Sequence, residues 1–101
     1  MDFIAAADGT VLHGLALIYV LRDLPGIKSF KIMQESLACM RLQLVVDESL
    51  FTQKEEDFVK DQFITRLGRG VEIEFEYVAE IPLEKSGKFR YVISNVTAEV
   101  G

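Results

Sequence analysis

The chain has 101 residues, half of them hydrophobic and 27% charged, with a net charge of -5 from 11 basic and 16 acidic side chains. That length supports one hydrophobic core, residues 1–101 as a single domain, and excludes a multidomain enzyme. The acidic balance opposes any binding that works by neutralising phosphates in bulk, so no nucleic-acid partner is expected.

A lone cysteine, Cys39, forms no intramolecular disulfide, and without a Cys or His cluster it builds no structural zinc site. The reducing cytoplasm is the expected location. The longest apolar run, Leu15 to Leu21, is far short of the ~20 residues a membrane crossing needs, and Met1-Asp2 lacks a basic signal-peptide start. No membrane insertion is expected.

Taken in chain order, Asp8-Gly9 lies between Phe3-Ile4-Ala5-Ala6 and Thr10-Val11-Leu12, a pattern that predicts a hairpin. His13 to Arg22 suits a helix, ended at Asp23-Leu24-Pro25-Gly26 because Pro25 disfavours helical geometry at Leu24 and Gly26 permits a turn. Leu15 through Leu21 are apolar nearly all round that helix, so it is either buried on two sides or docked upon. Strands are predicted at Ser29–Gln34 and Met40–Val46. In the second, Met40, Leu42, Leu44 and Val46 alternate with Arg41 and Gln43.

Thr52 followed by Glu55 forms a capping box, opening a helix that runs to about Leu67 with Phe58, Val59, Phe63 and Leu67 as its apolar stripe and Gly68 as its stop. Val71, Ile73, Phe75 and Tyr77 alternate with Glu72, Glu74 and Glu76, predicting a strand with an acidic outer face. A polar, basic loop follows, then a short strand through Tyr91 and Ile93. The order predicts an α+β fold: two helices on one face of an approximately three-stranded, mainly antiparallel sheet, with an N-terminal hairpin and a short C-terminal strand.

Few residues suggest chemistry. His13 is the only histidine, and no nucleophile is paired with it by sequence, which leaves it as a partly buried hairpin or helix-start residue. Cys39, at a strand edge, reads as a small apolar side chain. The glutamates at 72, 74 and 76 point in parallel from one strand face and do not converge on an ion, so no metal ligands are assigned. Phe75, Tyr77 and Tyr91 would suit the stacking platform of an RNA-binding sheet, but the alternating glutamates and the net charge oppose that reading.

The segment from Pro82 to Arg90 holds the remaining candidates. Ser86-Gly87 permits a tight turn, Lys88 places a mobile charge at its tip, and Arg90, two residues on, shares its side of an extended chain. These groups would grip a phosphate, or would form a solvated turn holding two lysines. A Walker A loop is excluded, since Phe89 stands where a Ser or Thr should hold magnesium and no glycine lies five residues before Gly87.

Pro82, Ser86-Gly87-Lys88 and Arg90 near the C-terminus, Leu24-Pro25-Gly26-Ile27 after the first helix, and Asp2-Phe3-Ile4 at the start together resemble the C-terminal domain of adenylate-forming enzymes. Within that superfamily, the apolar first helix and the Ser-Gly-Lys-Phe-Arg-Tyr wording look most like the phenylacetate-CoA ligase and capsule-biosynthesis branch. Ala5-Ala6-Ala7-Asp8-Gly9 stands where the family usually has Lys-x-x-Gly.

The resemblance implies that Lys88 is the adenylation lysine, that Ser86, Gly87 and Arg90 contact substrate or phosphate, and that Asp2 lies at the interdomain hinge. It implies a larger enzyme whose N-terminal adenylation domain binds most of the ATP and Mg2+, with a carboxylic acid as substrate and CoA as one possible acceptor. The isolated domain would then be inactive. A second reading from another class is a stand-alone α+β regulatory or protein-interaction module without catalytic activity.

Overall fold

A computed structural model describes residues 3–82 and 92–94. Two three-residue strands, β1 (Phe3–Ala5) and β2 (Val11–His13), form the N-terminal hairpin and pair antiparallel from Phe3↔His13 to Ala5↔Val11. The Asp8-Gly9 signal therefore marks a real hairpin, but with a five-residue connection. Ala6 turns inward and is buried, its N–H donating to the Thr10 carbonyl, while the Asp8 carboxylate accepts the Thr10 N–H.

Helix α1 (Leu15–Arg22) begins two residues later than the apolar pattern suggests. His13 is still extended, paired with Phe3, and its ring Nδ1 accepts the N–H of Leu15, a free amide of the first turn. His13 is thus a half-buried residue at the junction of hairpin and helix, as its position in the sequence predicts. Leu17, Ile18, Val20 and Leu21 are buried, whereas Tyr19 is 51% exposed and Leu15 lies at the surface. The helix is thus buried over a wide arc, touching α2, β2 and β3, with an apolar outer side left open.

Strands β3 (Ile27–Ser36) and β4 (Cys39–Val46) form the central antiparallel pair. Gly26 precedes β3 with φ near +109°, and a side chain there would also press on Leu50 and the Phe51 amide, so the turn after Pro25 requires glycine. Phe30, Ile32, Met40, Leu42 and Leu44 face the helices, and Arg41 and Gln43 face away, as the alternation predicts.

Helix α2 (Gln53–Leu67) starts at the expected capping box: Glu55 accepts the Thr52 N–H across 2.8 Å. Val59, Phe63 and Leu67 are buried at i, i+4 and i+8. Phe58 is not part of that stripe. It lies about 100° round the helix from Val59 and is 46% exposed, on the ridge it shares with Gln62 and Arg66.

Strands β5 (Glu72–Tyr77) and β6 (Val92–Ser94) complete a four-stranded mixed sheet of order β5-β4-β3-β6. This differs from the mainly antiparallel, three-stranded expectation. The short C-terminal strand joins the same sheet, and β4–β5 and β3–β6 are both parallel, leaving β3–β4 as the antiparallel pair. The reason is connectivity: α2 carries the chain back to the start of β4 before β5 begins, so β5 runs in the same direction as β4. One core results. A row of Val92, Ile32, Leu42 and Phe75 crosses all four strands on the helix side.

Candidate functional site

Asp2, Ser86, Gly87, Lys88 and Arg90 all lie outside the described residues. What the structure fixes is the chain on either side of them. Strand β5 ends at Tyr77 on one edge of the sheet, and β6 begins at Val92 on the opposite edge, beside Ile32. Val92 is four residues beyond Lys88, and β1 starts at the residue after Asp2. The stretches nearest both predicted functional segments, β1 and β6, lie against each other.

Gln34 joins them. It is the buried polar residue among those described, 1% exposed, and it occupies the inward phase of β3 with Phe30 and Ile32. Its Nε2 donates to the Ala5 carbonyl across 2.6 Å, and its Oε1 accepts the Ala5 N–H at 3.1 Å and the Ser94 hydroxyl at 2.8 Å. The side-chain amide thereby pairs with one backbone residue much as a neighbouring strand would. No buried side-chain polar atom among the described residues is left without a partner. Sequence reading passed over Gln34, although its parity with Phe30 and Ile32 places a polar group on a core face. The hairpin has a second anchor, the Ala7 N–H donating to the Leu67 carbonyl at the end of α2.

The remaining sequence candidates take structural roles. Cys39 opens β4, and its Sγ donates to Glu74 Oε1 at 3.6 Å. Desolvation raises the thiol above its usual range, and the carboxylates of Glu74, Glu72 and Glu35 add to the shift. A raised pKa means less thiolate at any given pH. At pH 8 Cys39 should therefore react with iodoacetamide several-fold more slowly than free cysteine, and Glu74→Gln should speed it. A rate equal to or above that of free cysteine would contradict this environment.

Glu72, Glu74 and Glu76 line the exposed side of β5, with Glu76 accepting from Gln43 Nε2 at 2.6 Å. Charges along this edge strand discourage pairing with other chains. Among the described residues no grouping of acidic, His or Cys side chains fits a metal ion. Phe75 and Tyr77 stack on the helix side, where Phe75 packs against the core, so they do not form an open platform on the glutamate face. The Tyr77 hydroxyl donates to Glu56, tying β5 to the first turns of α2; desolvation and then that bond hold its pKa above the usual tyrosine range.

Tyr19, Leu24 and Phe58, with Asp23, Gln62 and Arg66, line an open groove of about 300 Å³ between α1 and α2. Among the described residues no helix is long and apolar enough to cross a membrane.

The family model described as CapK C-terminal domain matches residues 4–95, which take in all but the first residue of the hairpin, both helices, the sheet and the Ser86-Gly87-Lys88 sequence. No curated protein and no solved structure matches the chain.

Proposed function

The chain belongs to the CapK C-terminal domain family, and from that membership we propose that it is the mobile C-terminal domain of a carboxylate-activating, acyl-adenylate-forming ligase. CapK is a capsule-biosynthesis protein resembling adenylate-forming ligases. The observation that carries the reading is the extent of the match: it includes the segment from Pro82 to Arg90, where the sequence places its cationic turn. A C-terminal domain implies an N-terminal partner, which would bind the acid and most of the ATP and Mg2+.

In the proposed reaction a carboxylate oxygen of the acid attacks the α-phosphorus of ATP. The bond to pyrophosphate breaks, its electron pair leaving with pyrophosphate, and the acyl adenylate forms. Negative charge gathers on the transferring phosphoryl oxygens and the leaving group, and Lys88 supplies a positive charge there. Gly87 allows the turn that presents the lysine, while Ser86 and Arg90 contact the phosphate or the acid. Rotation about Asp2 would then withdraw the lysine for transfer of the acyl group to its acceptor, CoA or another nucleophile.

The test is ATP–pyrophosphate exchange by the polypeptide in which this domain follows its N-terminal partner, over a panel of aryl and fatty acids. Exchange with at least one acid, and none from the 101-residue chain alone, is the expected result. Absence of exchange with every acid, in a folded protein that binds ATP, would favour the regulatory or interaction module instead.

A further inference from the structure

We propose that Gln34 is a positioning residue for the chemistry above: its buried amide fastens β1 to β6, so that the strand following Asp2 and the strand following the Ser86–Arg90 segment are held as one body. The proposal rests on the adenylation reading for its functional consequence, though not for the clamp itself.

Three observations carry it. First, the two strands are short. Each has three residues among those described, β1 belongs to a separate two-stranded sheet, and among the described residues β6 pairs with β3. Neither has a long hydrogen-bonded ladder to fix its place. Secondly, Gln34 contacts both through one functional group. Two bonds go to the backbone of Ala5 and one comes from Ser94, its neighbour in the parallel register. Thirdly, burial alone does not account for an amide. Gln34 shares its strand face with Phe30 and Ile32, where an aliphatic side chain would be buried without the cost of desolvating a polar group. What the amide adds is direction: its three bonds specify where the hairpin sits relative to β6, which apolar contact leaves loosely determined.

The consequence follows from the sequence. Asp2 immediately precedes β1, and Lys88 lies four residues before β6. The proposed rotation at Asp2 would reach Lys88 undiminished if β1 and β6 move together. Weakening the clamp should therefore lower the rate of the adenylation step while leaving the affinities of ATP and acid, determined mainly in the N-terminal domain, unchanged.

The test uses Gln34→Met, which keeps length and removes all three bonds, and Ser94→Ala, a milder change that removes the bond from β6 and leaves the two to Ala5. In the 101-residue chain, Gln34→Met should speed amide hydrogen exchange in β1 and β6 together, by about tenfold, with β4 and α2 unaffected. Exchange that rises in one strand alone would overturn the clamp. In the two-domain protein, Gln34→Met should lower kcat for adenylate formation about tenfold per titrated active site, and Ser94→Ala about threefold, with KM values unchanged. A merely structural role would reduce the number of active sites and leave the rate at each site intact, which would overturn positioning. The outcomes separate the two claims: coupled exchange with no rate effect from Gln34→Met or Lys88→Ala counts against the adenylation reading, whereas a large Lys88→Ala effect beside a normal per-site rate in Gln34→Met counts against Gln34. If Gln34→Met does not fold, Ser94→Ala carries both readouts.

Discussion

Replacing Phe63 by alanine is expected to remove about 3–5 kcal/mol of stability, a large share of the roughly 5–15 kcal/mol a domain of this size possesses. The side chain is fully buried in the middle of α2, between Val59 and Leu67 on the stripe that closes the sheet's apolar face. Its removal forfeits the transfer free energy of the ring and leaves a cavity that β3 and β4, held by their ladder, do not collapse to fill. Phe58→Ala is the matched control. The same chemical change five residues earlier, at a site nearly half exposed, should cost about 1 kcal/mol or less. Urea denaturation followed by circular dichroism checks both: a large fall in midpoint for Phe63→Ala at an unchanged slope, and little change for Phe58→Ala. Equal shifts would contradict the burial assigned to the two faces of α2.

The second large effect concerns chemistry. Lys88→Ala should slow acyl-adenylate formation by about 100-fold, the equivalent of ~2.7 kcal/mol of transition-state stabilisation. In the proposed mechanism the charge acts only while pyrophosphate departs, so the loss should fall on the rate and not on the binding of ATP. Transfer of the acyl group from preformed acyl adenylate should proceed at close to the wild-type rate, since the proposed rotation takes the lysine away before that step. Lys88→Arg should retain part of the rate: it keeps the charge, but its planar fork does not replace a compact ammonium. Single-turnover measurements of each half-reaction provide the check. Equal slowing of both would show that the lysine supports the fold or a shared binding step.

The parts of the fold legible in the sequence are those set by local rules. Asp8-Gly9 marked the hairpin, the alternation from Met40 to Val46 gave the buried face of β4, and Thr52 with Glu55 marked the start of α2. Each depends on residues a few positions apart. Strand pairing does not: a period of two states which side chains face the core but not which neighbour a strand finds or in which direction, and so the two parallel pairings were missed. The apolar composition of α1 was ambiguous for the same reason. Its wide buried arc depends on the hairpin, the sheet and α2 meeting it at once, and Tyr19 was left outside.

The candidate site divides similarly. Lys88 stands out through the resemblance carried by Pro82, Ser86-Gly87-Lys88 and Arg90, whereas the residues alone also fit a solvated turn. Gln34 was passed over because its partners, Ala5 and Ser94, lie 29 and 60 residues away. Its one local signal, a polar residue in phase with Phe30 and Ile32, states that a partner must exist without naming it.

The proposed adenylation role rests on Lys88, and the most direct measurement is the ATP–pyrophosphate exchange rate of the two-domain protein with Lys88 present and with Lys88→Ala, assayed side by side with the best acid found in the panel. A drop of about 100-fold in a variant with unchanged thermal stability is the predicted result. Exchange at the wild-type rate would contradict the assignment and leave the domain as a binding module.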